Sequence, residues 1–363
     1  MHRFFIIAMF LLLVNVLHGQ RISNNIDSSS ADNIVKVKLI RSYYESENDS
    51  IAKLHWNPSL RFYNNYNFSK NIETYSRTSS PKQINKHLGL SITELESVND
   101  TLSYVKIDVD YPGEGVILTY KYYIVKIGNK YYLDNCIDYE KGRFKKFSTE
   151  NIIFYISPLH KRIGDHLYTE ANKTVDSLYN SLPTLKKRAK FEVFLCSSVE
   201  EVNLLSNLTR YYSKQLAFAN PDFNTVVMMY DSPIHKHEFV HAVVGGDRSD
   251  SRILNEGIAT LYGGLSPQQG FNDGIKELKI LLKKEDKDLE QVFKANNSTI
   301  VNYTIYGLIA EFLEEKLGRK ELFALHYDKE INDKNLIEIA SQAMRISVPT
   351  FWKLLHNFIV QHD

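Results

Sequence analysis

The pentapeptide His237-Glu238-Phe239-Val240-His241, followed after fourteen residues by Glu256 in Leu254-Asn255-Glu256-Gly257, constrains this chain more than any other feature. An α-helix turns once per 3.6 residues, so side chains at i and i+4 lie on one face, a turn apart, and His237 and His241 can share one metal ion. Glu238 projects toward the same cleft, where it can take a proton from a water without itself binding the metal. Phe239, Val240, Val243 and Val244 make the helix apolar enough to be largely buried; buried imidazoles need partners, and zinc is one. Ser232 is the expected N-cap with Pro233 at the first helical position, and the helix is expected to stop at Gly245-Gly246. His235 falls off the face shared by His237 and His241 and reads as a neighbour of the site or an exposed residue, not a ligand.

The segment Asn255-Glu256-Gly257-Ile258-Ala259 has the form of the second ligand segment in gluzincins, the thermolysin and aminopeptidase-N-like clan of metallopeptidases, and the chain resembles that clan. The resemblance implies that Glu256 completes a His237/His241/Glu256 site for one zinc per chain, with the last tetrahedral position left open. It implies hydrolysis of peptide bonds in a peptide or protein substrate, with Glu238 taking the water's proton and delivering it to the leaving amine. An oxyanion donor is also implied. Tyr303-Thr304-Ile305-Tyr306-Gly307 resembles the helix that supplies a tyrosine in this role. Aminopeptidase-N-like members carry it three residues before the glycine, where this chain has Thr304, and smaller gluzincin-like domains carry it four before, matching Tyr303. Tyr303 is therefore the first choice and Tyr306 the second.

Two departures from the clan's pattern bear on chemistry. Thermolysin-like sites place an aspartate one turn after the glutamate ligand to orient a zinc histidine; Thr260 stands there, a residue that could accept the imidazole proton but departs from the pattern. The G-x-M-E-N signature that anchors a free α-amine is absent, so an endopeptidase is expected. The rival reading is a non-catalytic zinc-containing binding or scaffold protein with a peptidase-like fold. The intact Glu238 and the lack of a fourth protein ligand argue against it.

Residues 1–19 combine a basic start, an apolar run from Phe4 to Val16 and a small residue before Gln20, the form of a secretory signal peptide. The expectation is an exported protein, periplasmic or secreted, with no integral membrane segment once the signal is removed, because later hydrophobic runs are broken by charges. Loss of Arg3 with the signal leaves 43 basic residues against 43 acidic ones, which gives nucleic acid no electrostatic foothold. Cys136 and Cys196 lie far apart in sequence and are expected in different domains; a disulfide is chemically open, but two separate buried thiols are the preferred reading.

The expected class is α+β in two domains. After a Ser/Asn/Asp-rich lead-in over residues 20–32, expected to be disordered, an accessory domain spans 33–147. It opens with a helix over 34–54, burying Val35, Leu39, Tyr43 and Ile51, with Asn48 and Asp49 as a break. Alternating strands follow at 102–109 and 116–127, the latter joined to 130–133 by a Gly128-Asn129 turn. This helix-then-antiparallel-sheet order is similar to the nuclear-transport-factor-2-like fold. Its tyrosines, Tyr120, Tyr122, Tyr123, Tyr131 and Tyr132, read as cross-strand packing ahead of pocket lining. Residues 148–363 form the gluzincin-like domain: a small mixed sheet lobe with strands at 152–156, 191–195 and 225–230 and a helix over 164–182, then the zinc helices, then a helical C-terminal lobe. In that lobe helices are expected over 273–284 and 303–317, and a last one opened by Ser347 and running to 360 with Phe351, Trp352, Leu355 and Phe358 inward. The segment 217–229 is the candidate edge strand that would hold an extended peptide.

Overall fold

The computed structural model describes residues 21–22, 26–27, 29–58, 89–111, 113, 115–184, 189–211, 216–220, 224–245, 248–295 and 298–362. The expected signal peptide at 1–19 and Gly246 lie outside the described residues. The chain is α+β, and it divides into two compact units: Met1–Lys145 with Cys196–Leu216, and Lys146–Leu195 with Ala217–Asp363.

In the first unit a sheet runs in the order β1 (Arg21–Ile22), β2 (Gly89–Asn99), β3 (Leu102–Tyr111), β4 (Gly115–Ile127), β5 (Lys130–Asp134). All of these neighbours are antiparallel except β1, which pairs in parallel with Ser91 and Ile92, so part of the lead-in belongs to the fold. Gly128, at φ 59°, turns β4 into β5. The expected helix over 34–54 is two: α1 (Ala31–Tyr44), capped by Ser30, and α2 (Asp49–Lys53), where the Asn48 side chain accepts from the Ile51 N–H at 3.0 Å. Val37, Ile40, Tyr43 and Tyr44 bury the inner face of α1. Val35 and Ile51, expected inside, are exposed. At the neighbouring position Lys36 is buried, its ammonium 2.6 Å from Asp32 and facing the Tyr131 ring. Tyr120 and Tyr122 lie stacked in the core beside Trp56, as packing residues.

Helix α3 (Cys136–Glu140) follows β5. The segment 196–216 leaves the second unit's sheet to add α5 (Val199–Leu205) and β9 (Leu208–Tyr211) to the first unit, where β9 pairs with Leu118–Tyr120 of β4. Asn207, at φ 65°, fixes this segment: its side chain accepts from the Cys136 N–H at 2.7 Å and donates to Asn135 at 2.6 Å. Cys136 and Cys196 are both free and buried, as expected, but they belong to the same unit.

The second unit has a mixed sheet in the order β10 (Ala217–Asn220), β11 (Thr225–Met228), β8 (Phe191–Leu195), β7 (Ile152–Ile156), β6 (Lys145–Ser148). Strands β7, β8 and β11 are parallel, and β7 and β8 are joined through α4 (Asp165–Ser181), which packs Ala171, Val175 and Leu178 inward. Near-continuous apolar strands such as Thr225–Met228 are what a sheet covered on both faces demands. At one edge β10 pairs antiparallel with β11. Helices α6 (Lys236–Val244) and α7 (Arg252–Gly263) come next, then α8 (Phe271–Glu285), α9 (Leu289–Ala295), α10 (Thr299–Leu317), α11 (Arg319–Tyr327), α12 (Leu336–Ala343) and α13 (Val348–Gln361). Helix α10 starts a turn earlier than expected, whereas α13 has the expected Ser347 cap and buries Phe351, Trp352 and Leu355. Among the described residues no helix is long and apolar enough to cross a membrane.

Candidate metal centre

Helix α6 presents its two histidines from a buried position because Phe239, Val240 and Val243 on its other faces are fully enclosed. It does not start where the Ser-Pro pair suggests. Ser232 uses its hydroxyl on the Ile234 N–H (3.2 Å), forming a turn ahead of the helix, and the cap is His235, whose Nδ1 accepts from Glu238 N–H at 3.5 Å. Burial lowers the His235 pKa to about 4, so the cap is a neutral ring at physiological pH. At the other end, Gly245 N–H bonds His241 O, Thr184 Oγ1 donates to Val243 O at 2.8 Å, and His326 Nε2 and Tyr327 OH both donate to Val244 O. These donors satisfy carbonyls a helix end leaves open.

Helix α7 carries Glu256. Its N-terminus is fixed by Ser251, which accepts from Leu254 N–H, and by Asp333, whose Oδ1 accepts from Ser251 Oγ (2.8 Å) and Ile253 N–H (2.9 Å). Two glycines let α7 approach its neighbours. A Cβ on Gly257 would strike the Tyr306 carbonyl of α10, and one on Gly263 would stand 2.5 Å from His237 Cα. The glycine of Asn255-Glu256-Gly257 is thus a packing requirement between helices.

The outcome is a convergence of three donors. Glu256 Oε2 lies 3.3 Å from Nε2 of both His237 and His241, and all three ligand atoms fall within 4.8 Å of one another. Two ligands about 2.0–2.1 Å from a tetrahedral ion stand about 3.3–3.4 Å apart, so these spacings suit a metal. The histidine hydrogen bonding supports the same conclusion. His237 Nδ1 sits 2.7 Å from the Gly264 carbonyl, an acceptor only, so Nδ1 carries the proton. A neutral ring then turns the Nε2 lone pair toward a carboxylate, an arrangement that needs a cation between them or a second proton. Without a metal the second proton is favoured: burial pulls the His237 pKa down, but Glu256 and Glu238 outweigh it and hold it above the ordinary value. Burial pushes Glu256 up, and the two histidines hold it well below. Among the described residues this is the one group of His, Cys, Asp or Glu side chains that could hold a metal ion.

Around these donors stand Glu238 and Tyr303. Glu238 is half-buried, and its charge acts on His235, His237, Tyr230 and Tyr303. The Tyr303 ring lies parallel to the His237 imidazole, 4° between planes and 5.8 Å between centroids. The Arg252 guanidinium stands 5.8 Å from the Tyr303 centroid, and burial, reinforced by Glu256, pushes the phenol's pKa up. Tyr306 points further along, against Phe293. Thr304 is enclosed and donates to Ile300 O.

Thr260 does not orient a histidine. Its side chain is turned against Gly307 of α10, and Oγ1 is buried with no hydrogen-bond partner among the described residues. The Gly264 carbonyl takes the role instead. Reading the sequence for side-chain acceptors missed it, although the Gly263-Gly264 pair marks a helix end. Arg252 was also passed over; its place four residues before Glu256 put it on that ligand's face of the helix. No protein-family model matches the chain, and neither does any curated protein.

Proposed function

We propose that the chain is an exported zinc-dependent metallopeptidase that cuts internal peptide bonds. The observation that carries the reading is the convergence of His237, His241 and Glu256, with Glu256 Oε2 3.3 Å from each Nε2 and all three ligand atoms within 4.8 Å, and with Glu238 beside them. Three nitrogen and oxygen ligands with one place open are the donor set of catalytic zinc. Zinc bound there supplies a Lewis acid that brings the pKa of water to about 7.

Each residue then has a distinct task. Glu238 accepts the proton of the attacking water and passes it to the amine that leaves. The Tyr303 phenol, beside His237, donates a hydrogen bond to the oxygen on which negative charge develops. Strand β10, the antiparallel edge next to α6, offers its main chain to an extended peptide.

The test uses purified protein with measured zinc content and peptides blocked at the amino terminus. One zinc per chain, lost in His237→Ala and His241→Ala, together with cleavage of internal bonds, is expected. Full zinc retention in both variants removes the site, and release of single N-terminal residues alone removes the endopeptidase assignment.

A further inference from the structure

Beyond the three ligands, the structure shows what holds one of them in place. His237 is fastened at its far nitrogen by the main chain of Gly264. That glycine closes α7, its N–H on Thr260 O at 2.9 Å, with φ 85° and ψ −178°. Such a backbone conformation is open in practice only to glycine. It turns the Gly264 carbonyl toward His237 and away from the helix. The residue before it, Gly263, packs so close that any side chain would displace His237 N and Cα. The sheltered Thr260 hydroxyl points elsewhere, so no side chain on this helix turn does the same work.

We propose that the Gly263-Gly264 turn is the positioning element of the metal centre. Its carbonyl fixes the His237 tautomer and aims Nε2, making metal affinity depend on a glycine that touches neither metal nor substrate. The inference rests on the metal-site reading given above. A main-chain carbonyl does here what a carboxylate or carbonyl partner does for metal-bound histidines generally, and loss of such a partner weakens binding about 10- to 100-fold. Unlike a carboxylate, it adds no negative charge beside the ligand.

Zinc dissociation constants are to be measured by chelator competition for the full chain, Gly264→Ala and His237→Ala, with folding checked by circular dichroism. Alanine is strained at this backbone conformation and turns the carbonyl, so Gly264→Ala should bind zinc about 10- to 100-fold more weakly while remaining folded. Unchanged affinity in folded Gly264→Ala, alongside loss in His237→Ala, overturns the inference and leaves the metal site standing. Wild-type protein that takes up no stoichiometric zinc overturns the site and the inference with it. A second measurement needs no variant: in the zinc-loaded chain with nitrogen-15 histidine, His237 should show a metal-bound Nε2 and a slowly exchanging Nδ1 proton. Metal at Nδ1, or rapid exchange of that proton, overturns the inference even if Gly264→Ala fails to fold.

Discussion

Replacing Gly257 by alanine should destabilise the second unit, although alanine is the better helix former. Exchanging glycine for alanine inside a helix is worth about 1 kcal/mol in favour of the variant. The structure sets against this a Cβ placed into the carbonyl of Tyr306 and 3.3 Å from Ala310 Cβ. These are atoms of a packed helix and cannot swing aside like the tip of a lysine, so α7 and α10 must part or slide. Overpacking of that kind costs about 1–3 kcal/mol, occasionally more, and a backbone collision belongs at the upper end, leaving a net loss of about 2 kcal/mol. For a domain of this size that is a fall of about 4–8 °C in melting temperature. The displacement also moves Glu256 relative to Tyr303, so zinc affinity should fall with it. Calorimetry on metal-free wild type and Gly257→Ala reads the first effect, and chelator competition the second. A melting temperature equal to or above wild type would refute the close approach of the two helices.

Other consequences follow from the same geometry. Tyr303→Phe should slow peptide cleavage by roughly ten- to a thousandfold with zinc content intact, and Tyr306→Phe should change it little; steady-state kinetics on both compares them directly. His326 is fully buried, and burial lowers its pKa to about 3, so it stays neutral in the fold while the unfolded chain takes up a proton near pH 6.5. Its contribution is therefore complete above about pH 6.5 and is lost as pH falls toward 3, about 2 kcal/mol by pH 5. Denaturant unfolding of the metal-free protein at pH 7 and pH 5 should show this loss, and His326→Gln should show less of it. A chain truncated to start at residue 146 keeps 196–216 but loses β4, exposing Val202, Leu205 and Leu208, which are buried in the intact chain. It should aggregate, by light scattering, whereas the full chain does not.

The histidines of the candidate metal site were legible because their signal is local: i,i+4 spacing puts His237 and His241 on one face whatever surrounds the helix. The strands at 102–109, 116–127, 152–156 and 191–195 and the Ser347-capped last helix were readable for the same reason, whereas β2, β6 and β9 were not. What stayed hidden depends on long-range contacts. His235 displaces Ser232 as the cap because the chain before α6 is already committed to a turn. Val35, expected inside, lies exposed while Lys36 is buried, because Asp32 and Tyr131 make a place for the ammonium. The departure of 196–216 into the first unit rests on Asn207 bonding residues some seventy positions earlier, a pairing no local pattern announces. Thr260 matched the position of an orienting side chain, and only the course of the backbone shows the acceptor to be the carbonyl of Gly264.

The central claim, that this metal centre hydrolyses peptides, meets its most direct test in one comparison. Wild type and Glu238→Gln, matched for bound zinc and for circular dichroism, are incubated with a diverse peptide mixture and the products read by mass spectrometry. The amide cannot accept the water's proton, so wild type should cut internal bonds and the variant should lose most of that activity. Equal cleavage by both would place the base elsewhere, and zinc-loaded wild type that cuts nothing would make the centre a binding site instead of a catalyst.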